Sequence, residues 1–434
     1  MLYQIKHQLH RLQHRKRFRL LDALLHNQAL GKEQLLLKQK QDFSAIVRHA
    51  YCNTPYYHEK YAPSIADVSN DIVAESLPVL HKDEVVQHLN EMLAGAIDRQ
   101  TLRMGSTGGS TGKPVSFYYD QHKHELMRAG MCRSYMWSGW KPGQKILNLW
   151  GARQDIHHGG SVRQKYQDFI AAEKTIAAFE YSEAQLHEWA ETIRSYRPVL
   201  LQGYASILAE LSRYIIACNI RMPRTILGIY STAEVLHDGQ RKLMEQAFHC
   251  KVFNQYGSRE IPNIACECRH GNQHIFTDMV YLESQTINDE DRLIITSLSN
   301  RVMPFIRYDI GDSGKLKDGD CACGSPFPMM EMGLCRSNDL IKTRNGKAIH
   351  PSYFNGLLYG QTDIKQYQYI QSELDKITLN IVSSTRLRTD VLDSLQEKLR
   401  RDIDDNLLLK INFVDEIKRT VSGKHRFVIS NLEI

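Results

Sequence analysis

One run constrains this chain more than any other. Gly105 to Lys113 reads GSTGGSTGK, Gly, Ser and Thr closed by a lysine, with Pro114 behind it. Glycine loses much backbone entropy in a regular element and offers no side chain to pack, so neither a helix nor a central strand passes through such a run. Two uses are left. Its amides can turn inward around an anion, with the hydroxyls of Ser106, Thr107, Ser110 and Thr111 donating to phosphate oxygens and Lys113 adding a positive charge. Alternatively it is a flexible linker, although repeated β-branched Thr and a closing Lys-Pro are unusual in linkers. The run does not fit the P-loop pattern, in which Ser or Thr follows Gly-Lys, nor the GxGxxG fingerprint.

The chain of 434 residues is long enough for two or three domains and a large core. No apolar run approaches the ~20 residues of a membrane span. The start, MLYQIKHQLHRLQHRKRF, lacks the apolar core of a signal peptide, so the cytoplasm is the expected location. The net charge of +6 is modest, and no nucleic-acid-binding motif accompanies it, which argues against a nucleic-acid partner. Much of the charge sits in Lys6, Arg11, Arg15, Lys16, Arg17 and Arg19, with Leu9, Leu12, Leu20, Leu21, Leu24 and Leu25 interleaved at roughly helical spacing. Such a segment either packs its leucines on the protein body or makes peripheral contact with an anionic membrane.

Residues 1–60 read as helical, with a break at Asn53-Thr54-Pro55. Val115 to Tyr119 reads as the strand leaving the Gly-rich run, a helix is expected over Lys123–Gly139, and a strand over Lys145–Trp150. PVLLQGY, TILGIYSTAE and CKVFNQYGSRE each read as strand then turn, with helices between them. This alternation predicts an α/β architecture with mainly parallel sheet. After about residue 275, short strands with Gly- and Asp-rich turns predict a β-rich, antiparallel subdomain. From Leu334 the chain reads as a small, mobile α+β unit, so the expected domains are 1–333 and 334–434.

Further turns carry chemistry. In NQYGSRE, Tyr256 and Gly257 close a strand; the tyrosine ring can stack on a base and Glu260 can hold phosphate-bound Mg²⁺. RYDIGD ends in Asp312, a carboxylate able to accept both hydroxyls of a ribose. CRSNDLIK, the following Asn345-Gly346, and a Gly-supported Lys424 in SGKHR complete the series. Taken in order, GSTGGSTGKP, STAE, NQYGSRE, RYDIGD, CRSNDLIK and SGK resemble the core motifs of the adenylate-forming superfamily, from about residue 45 to the end. Within it the chain is most similar to the phenylacetate–CoA ligase group and its CapK-like relatives of capsular polysaccharide biosynthesis. The early NTPYY, the ECRHGNQHI stretch and the CACG element carry that finer likeness.

The resemblance implies activation of a small carboxylic acid by ATP to an acyl-adenylate, then transfer to a thiol, CoA above all. Ser106, Thr107, Gly108, Thr111 and Lys113 would face the phosphates. Ala233 and Glu234, with Tyr256 and Gly257, would border adenine, Glu260 would bind Mg²⁺, and Asp312 with Arg336 would hold the ribose. Asp339 falls at the family's hinge, and Lys424 matches the lysine bridging carboxylate and α-phosphate. Lys113, Glu260 and Lys424 are thus the catalytic candidates. Cys335 before Arg336, Val421-Ser422 before the final Gly-Lys, and Ser258-Arg259 depart from the usual pattern and leave the acceptor open. The rival functions are an adenylyltransferase passing the acyl group to another acceptor, and a non-catalytic scaffold. A homodimer is compatible with either.

Of nine cysteines, Cys52, Cys132, Cys218 and Cys335 are scattered. Cys268, His274, Cys321 and Cys323 form the best ligand set for a structural zinc, with Cys266 or Cys250 as alternates and plain reduced thiols as the other reading. The same positions supply zinc ligands in some relatives. Tyr135, Trp137, Trp140, Tyr204 and Tyr230 either line an acyl pocket or fill the core.

Overall fold

The computed structural model describes residues 2–65, 72–95, 97–107, 115–150, 169–178, 180–287, 290–332, 341–344, 346–349, 351–358, 364–383, 387–417 and 427–432. Helices α1 (Leu2–Gln13), α2 (Arg15–Gln28), α3 (Lys32–Asn53), α4 (Pro55–Tyr61) and α5 (Lys82–Gln87) come first. Strands β1 (Arg103–Ser106) and β2 (Ser116–Tyr119) lead to α6 (Gln121–Met136). Then come β3 (Ile146–Trp150), β4 (Glu173–Ala177), β5 (Glu180–Tyr181), α7 (Glu183–Tyr196), β6 (Leu200–Tyr204), α8 (Ala205–Ala217), β7 (Gly228–Thr232) and α9 (Asp238–Phe248). Strands β8 (Lys251–Tyr256), β9 (Ala265–Glu267), β10 (Gln273–Ile275), β11 (Val280–Ile287), β12 (Glu290–Ser297), β13 (Tyr308–Lys317) and β14 (Met329–Met332) follow. The C-terminal part holds β15 (Ile341–Lys342), β16 (Ala348–Ile349), α10 (Pro351–Leu357), β17 (Ile364–Glu373), β18 (Lys376–Ser383), α11 (Thr389–Asp402), β19 (Leu408–Phe413) and β20 (Val428–Ser430).

The chain divides into two compact units. The first joins Met1–Thr107, Val115–Pro142 and Phe253–Cys335; the second joins Gly108–Pro114, Gly143–Val252 and Arg336–Ile434. The expected boundary at 333/334 lies outside the described residues.

In the first unit the break between α3 and α4 has a local cause. The Thr54 amide donates to the Ala50 carbonyl at 2.9 Å, finishing α3. Its Oγ1 accepts from the Tyr57 amide at 3.3 Å and caps α4, with Pro55 at the first helical position. The sheet runs β11-β12-β13-β14-β10-β9-β8, every neighbouring pair antiparallel. A fully buried ion pair stands at its heart. Arg133 of α6 donates to both oxygens of Asp278, at 2.7 and 3.0 Å. Its guanidinium lies 4.2 Å from the Phe276 ring centre and 5.0 Å from that of Phe327. The stacked faces let a desolvated cation keep favourable contacts on the sides its carboxylate cannot reach.

In the second unit β4-β3-β6-β7 form the parallel sheet the alternation predicts. Leu147, Leu149, Leu201 and Ile229 on its strands and Trp189, Ile193, Leu208 and Phe248 on α7, α8 and α9 share one core, as expected for a sheet covered by crossover helices. Gly203 is required there, because a Cβ would stand 2.9 Å from the Leu149 carbonyl on β3. The C-terminal part has its own core around Tyr369, Leu379, Leu395 and Leu399, under a sheet ordered β19-β18-β17-β20.

Two boundaries differ from expectation. Gly105 and Ser106 belong to β1, so the non-regular stretch starts after them. Helix α6 starts at Gln121 and stops at Met136, because Asp120 caps it by accepting from the Lys123 amide at 2.8 Å and the chain turns at Gly139 with φ +96°.

Candidate functional site

Strands β1 and β2 pair antiparallel from Arg103↔Tyr119 to Ser106↔Ser116 and bracket the Gly-rich run. Above them Thr107 closes the neck twice. Its amide donates to the Val115 carbonyl and its Oγ1 accepts from the Val115 amide, both at 2.9 Å. Gly108, Thr111 and Lys113 lie outside the described residues. Ser106 is buried, and its Oγ donates to the Thr107 carbonyl at 3.3 Å. Gly105 is needed for packing rather than for phosphate approach. A Cβ there would come within 2.7 Å of Cε2 of the cross-strand Phe117 and closer still to its Cζ. Phe117 is itself buried, edge-on to Phe305. We expect Gly105→Ala to cost about 1–3 kcal/mol by overpacking, read as a lower urea midpoint with an unchanged slope.

The turn after β8 is built by its own polar groups. The Ser258 amide donates to the Ile261 carbonyl, and the Ile261 amide returns to Ser258 Oγ, both at 3.0 Å. Gly257 fits beneath, where a Cβ would stand 3.0 Å from the Asn263 nitrogen. Glu260, inside this turn, is 2 % exposed, and its Oε2 has no hydrogen-bond partner among the described residues. Its carbonyl accepts from Lys123 Nζ at 2.5 Å. Burial pulls the Lys123 ammonium down to about 7, against the opposing influence of Glu260 and Asp120. Arg259 donates from Nη1 to the Ser106 carbonyl at 3.3 Å. It therefore ties this turn to the foot of the Gly-rich loop. Lys123 and Arg259 were missed as site-builders. Their partners are backbone carbonyls far away in sequence, which no motif encodes.

Tyr256 and Asp312 meet, the tyrosine hydroxyl donating to Oδ2 at 3.1 Å. The rest of RYDIGD is structural. Arg307, held at φ +48°, grips Glu283 at 2.8 and 3.1 Å and also donates to the Leu77 carbonyl. Asp309 takes two bonds from Arg292 at 3.0 Å and one from the Gly311 amide at 2.9 Å. Of the motif's three charged residues, Asp312 is the one beside Tyr256, half-buried and carried within β13 rather than on the turn the sequence suggests.

In the second unit β7 is followed by Ala233, at φ +67°, and Glu234. The Glu234 carboxylate accepts from the Ser206 amide at 2.8 Å and from its hydroxyl at 3.1 Å, which anchors the first turn of α8. Arg336, Asp339 and Lys424 lie outside the described residues. The aromatic candidates are core members: Tyr135, Trp140, Tyr204 and Tyr230 are buried. Trp137 instead stands edge-on to His274, 5.8 Å between ring centres.

The cysteine set comes together. The ligand atoms of Cys268, His274, Cys321 and Cys323 all lie within 4.8 Å of one another. Cys268 Sγ is 3.7 Å from Cys321 Sγ, and Cys323 Sγ is 3.2 Å from His274 Nε2. The first distance matches an edge of a tetrahedron with metal–sulfur bonds of about 2.3 Å. His274 Nδ1 sits 2.8 Å from the Phe327 carbonyl, a geometry that puts the ring proton there and leaves Nε2 as the ligand atom. Burial opposes a Cys321 thiolate, but the Cys323 amide and the Asn272 side chain, among others, bring it down to about 6. The alternates do not join. Burial holds Cys266 protonated and pushes Cys250 up to about 12.

Residues 341–431 match the model of the CapK C-terminal domain. Protein CapK of Staphylococcus aureus is 25 % identical over 413 residues, covering 91 % of this chain and 89 % of that protein. The phenylacetate–coenzyme A ligase of Thermus thermophilus is 23 % identical over 448 residues, covering 93 % of this chain and 98 % of the ligase. The chain is similar to CapK and to phenylacetate–CoA ligases along about nine-tenths of its length. The crystal structure of 2-hydroxyisobutyryl-CoA ligase with 2-HIB-AMP and CoA shares the fold, with a TM-score of 0.61 at 15 % identity over 93 % of this chain and 91 % of that one. The α/β architecture of the chain is thus one it shares with that CoA ligase. No helix among the chain's described residues is long and apolar enough to cross a membrane.

Proposed function

We propose that the chain is an AMP-forming carboxylate–CoA ligase. In the first half-reaction a carboxylate oxygen of the acid attacks the α-phosphorus of ATP. The P–O bond to the β-phosphate breaks and pyrophosphate leaves. In the second the CoA sulfur attacks the acyl carbonyl, gives up its proton, and AMP leaves. The protein's share is positioning and charge stabilisation.

The observation that carries this reading is Glu260, a buried carboxylate with an oxygen that no described residue satisfies. A buried anionic oxygen without a partner is costly, and a divalent cation removes that cost. Glu260 would hold Mg²⁺, which when bound offsets the charge of the phosphate oxygens. Asp312, oriented by the Tyr256 hydroxyl, would accept the ribose hydroxyls, and the Tyr256 ring would flank the base. Ser106 and Thr107 end the hairpin from which Gly108, Thr111 and Lys113 would reach the phosphates, with Arg259 holding that foot against the Glu260 turn. Glu234, spent on Ser206, would shape the adenine border with Ala233 through backbone rather than charge. Arg336 would assist Asp312, and Lys424 would bridge the carboxylate and the α-phosphate. Cys268, His274, Cys321 and Cys323 would hold a structural zinc.

Pyrophosphate release is the test, measured with ATP, Mg²⁺ and a panel of aryl, fatty and sugar-derived acids, with and without CoA. Acid-dependent release that CoA accelerates is the expected result. Acid-dependent release indifferent to CoA would replace the ligase with an adenylyltransferase serving another acceptor. Folded protein that fails to bind ATP in calorimetry would leave the scaffold.

A further inference from the structure

Helix α1 packs inside out for a helix whose apolar side belongs to the core. Its histidines face the body: His7 and His10 each lie 5.3 Å from the Phe18 ring of α2, and His10 lies 4.9 Å from His14. Ile5, Leu9 and Leu12 recur at i, i+4 and i+7, which places them on one stripe, and they are 53 %, 41 % and 59 % exposed. Helix α2 does the opposite. Its Leu21 and Leu24 are buried, and its Arg17 is held by Glu125 of α6 at 2.7 Å in a buried pair. One helix therefore fixes the segment to the body, and the other turns an apolar row outward.

The segment that carries that row is strongly basic. Arg11, Arg15, Lys16 and Arg19 are exposed, with Arg11 also reaching Asp22 at 2.5 Å. Between Leu2 and Gln28 there are six Lys and Arg against the single acid Asp22, a formal +5 out of the chain's +6. An outward apolar stripe inside a basic field selects its occupant by charge. A second copy of the same surface would press like charges together, whereas anionic headgroups neutralise the cations while the acyl boundary takes the leucines.

We propose that α1 docks the protein on the surface of an anionic lipid bilayer. Ile5, Leu9 and Leu12 enter the headgroup–acyl boundary, and Arg15, Lys16 and Arg19 lie against lipid phosphates. The helix lies in the interface and does not span it.

The test is co-sedimentation of the full chain with vesicles of phosphatidylcholine alone and of phosphatidylcholine with about one-third phosphatidylglycerol, at about 0.1 M and about 1 M salt. Binding to the anionic vesicles at low salt, lost at high salt and absent from pure phosphatidylcholine, is expected. The triple variant Ile5→Ser, Leu9→Ser, Leu12→Ser should bind the anionic vesicles at least about tenfold more weakly. Its thermal unfolding should match wild type, because the three side chains are exposed already. Arg15→Gln, Lys16→Gln, Arg19→Gln should weaken binding in the same direction. The proposal is overturned if folded wild type ignores anionic vesicles, or if the serine variant binds them as wild type does. It is equally overturned if sedimentation equilibrium shows a dimer that the serine variant dissolves while neither protein binds vesicles, since the stripe then belongs between two copies.

Discussion

Cys321→Ser should strip the protein of one equivalent of zinc and lower its melting temperature by on the order of 10 °C. Among the described residues the four ligand atoms converge within 4.8 Å of one another. With the ion present, each sulfur is a thiolate held by charge. Without it, closely spaced thiols and an imidazole share a half-buried space, and the chain segments 268–274 and 321–327 lose their common anchor. Phe327, in the second segment, and Phe276, two residues after the first, pack against Arg133, so loosening the segments exposes the buried Arg133–Asp278 pair. Cys266→Ser is the control. That thiol is fully buried two residues from Cys268 yet stands outside the set, so its serine variant should retain the zinc. Elemental analysis of the purified variants and a melting curve with and without chelator decide the matter. Wild type free of zinc, or a Cys321→Ser protein that melts with wild type, would return the cluster to plain reduced thiols.

Lys424→Ala should slow acid-dependent pyrophosphate release by on the order of 10²–10³-fold while leaving the melting temperature in place. At the transition state of adenylation two anions, the acid's carboxylate and the α-phosphate, are forced together. A cation between them cancels repulsion that exists only when both are in place, so its removal should act on the rate more than on ATP affinity. The sequence SGKHR is polar and ends in a basic pair, so the substitution removes charge from a segment with little apolar surface to bury. Thioester formation from CoA and presynthesised acyl-adenylate provides the internal comparison. It should survive in the alanine variant, because the two-anion encounter is already past. Adenylation at the wild-type rate would remove Lys424 from the mechanism.

How far the sequence could be read depended on the range of the interactions involved. Alternation of apolar runs with turn residues is local, and it placed β3, β6, β7 and the C-terminal α+β pattern within a few residues. Thr54 was legible as a break because capping acts over three residues, whereas the cap at Asp120 went unread and the start of α6 was expected at Lys123. The ligand set around Cys321 was readable because donor chemistry limits the candidates, and the β9–β10 pairing then brings His274 opposite Cys266, next but one to Cys268. Gly105 was misread as part of the loop, since its reason is the ring of Phe117 across the hairpin. Lys123 and Arg259 were invisible as site-builders for the same reason, each acting on a carbonyl more than a hundred residues away. The other charges of RYDIGD, Arg307 and Asp309, are struts bound to Glu283 and Arg292, partners that the motif does not encode. The inward turn of the α1 histidines reversed what leucine periodicity predicts, because the site of burial was chosen by Phe18 rather than by the helix's own pattern.

The double closure between Thr107 and Val115 has a consequence for how such a protein can diversify. Below that knot the β1–β2 register and the Phe117 packing are complete in themselves. Residues added or lost above it need not propagate into the sheet. The intervening stretch is therefore an exchangeable cassette: a lineage, or an engineer, can recompose it while inheriting the scaffold intact.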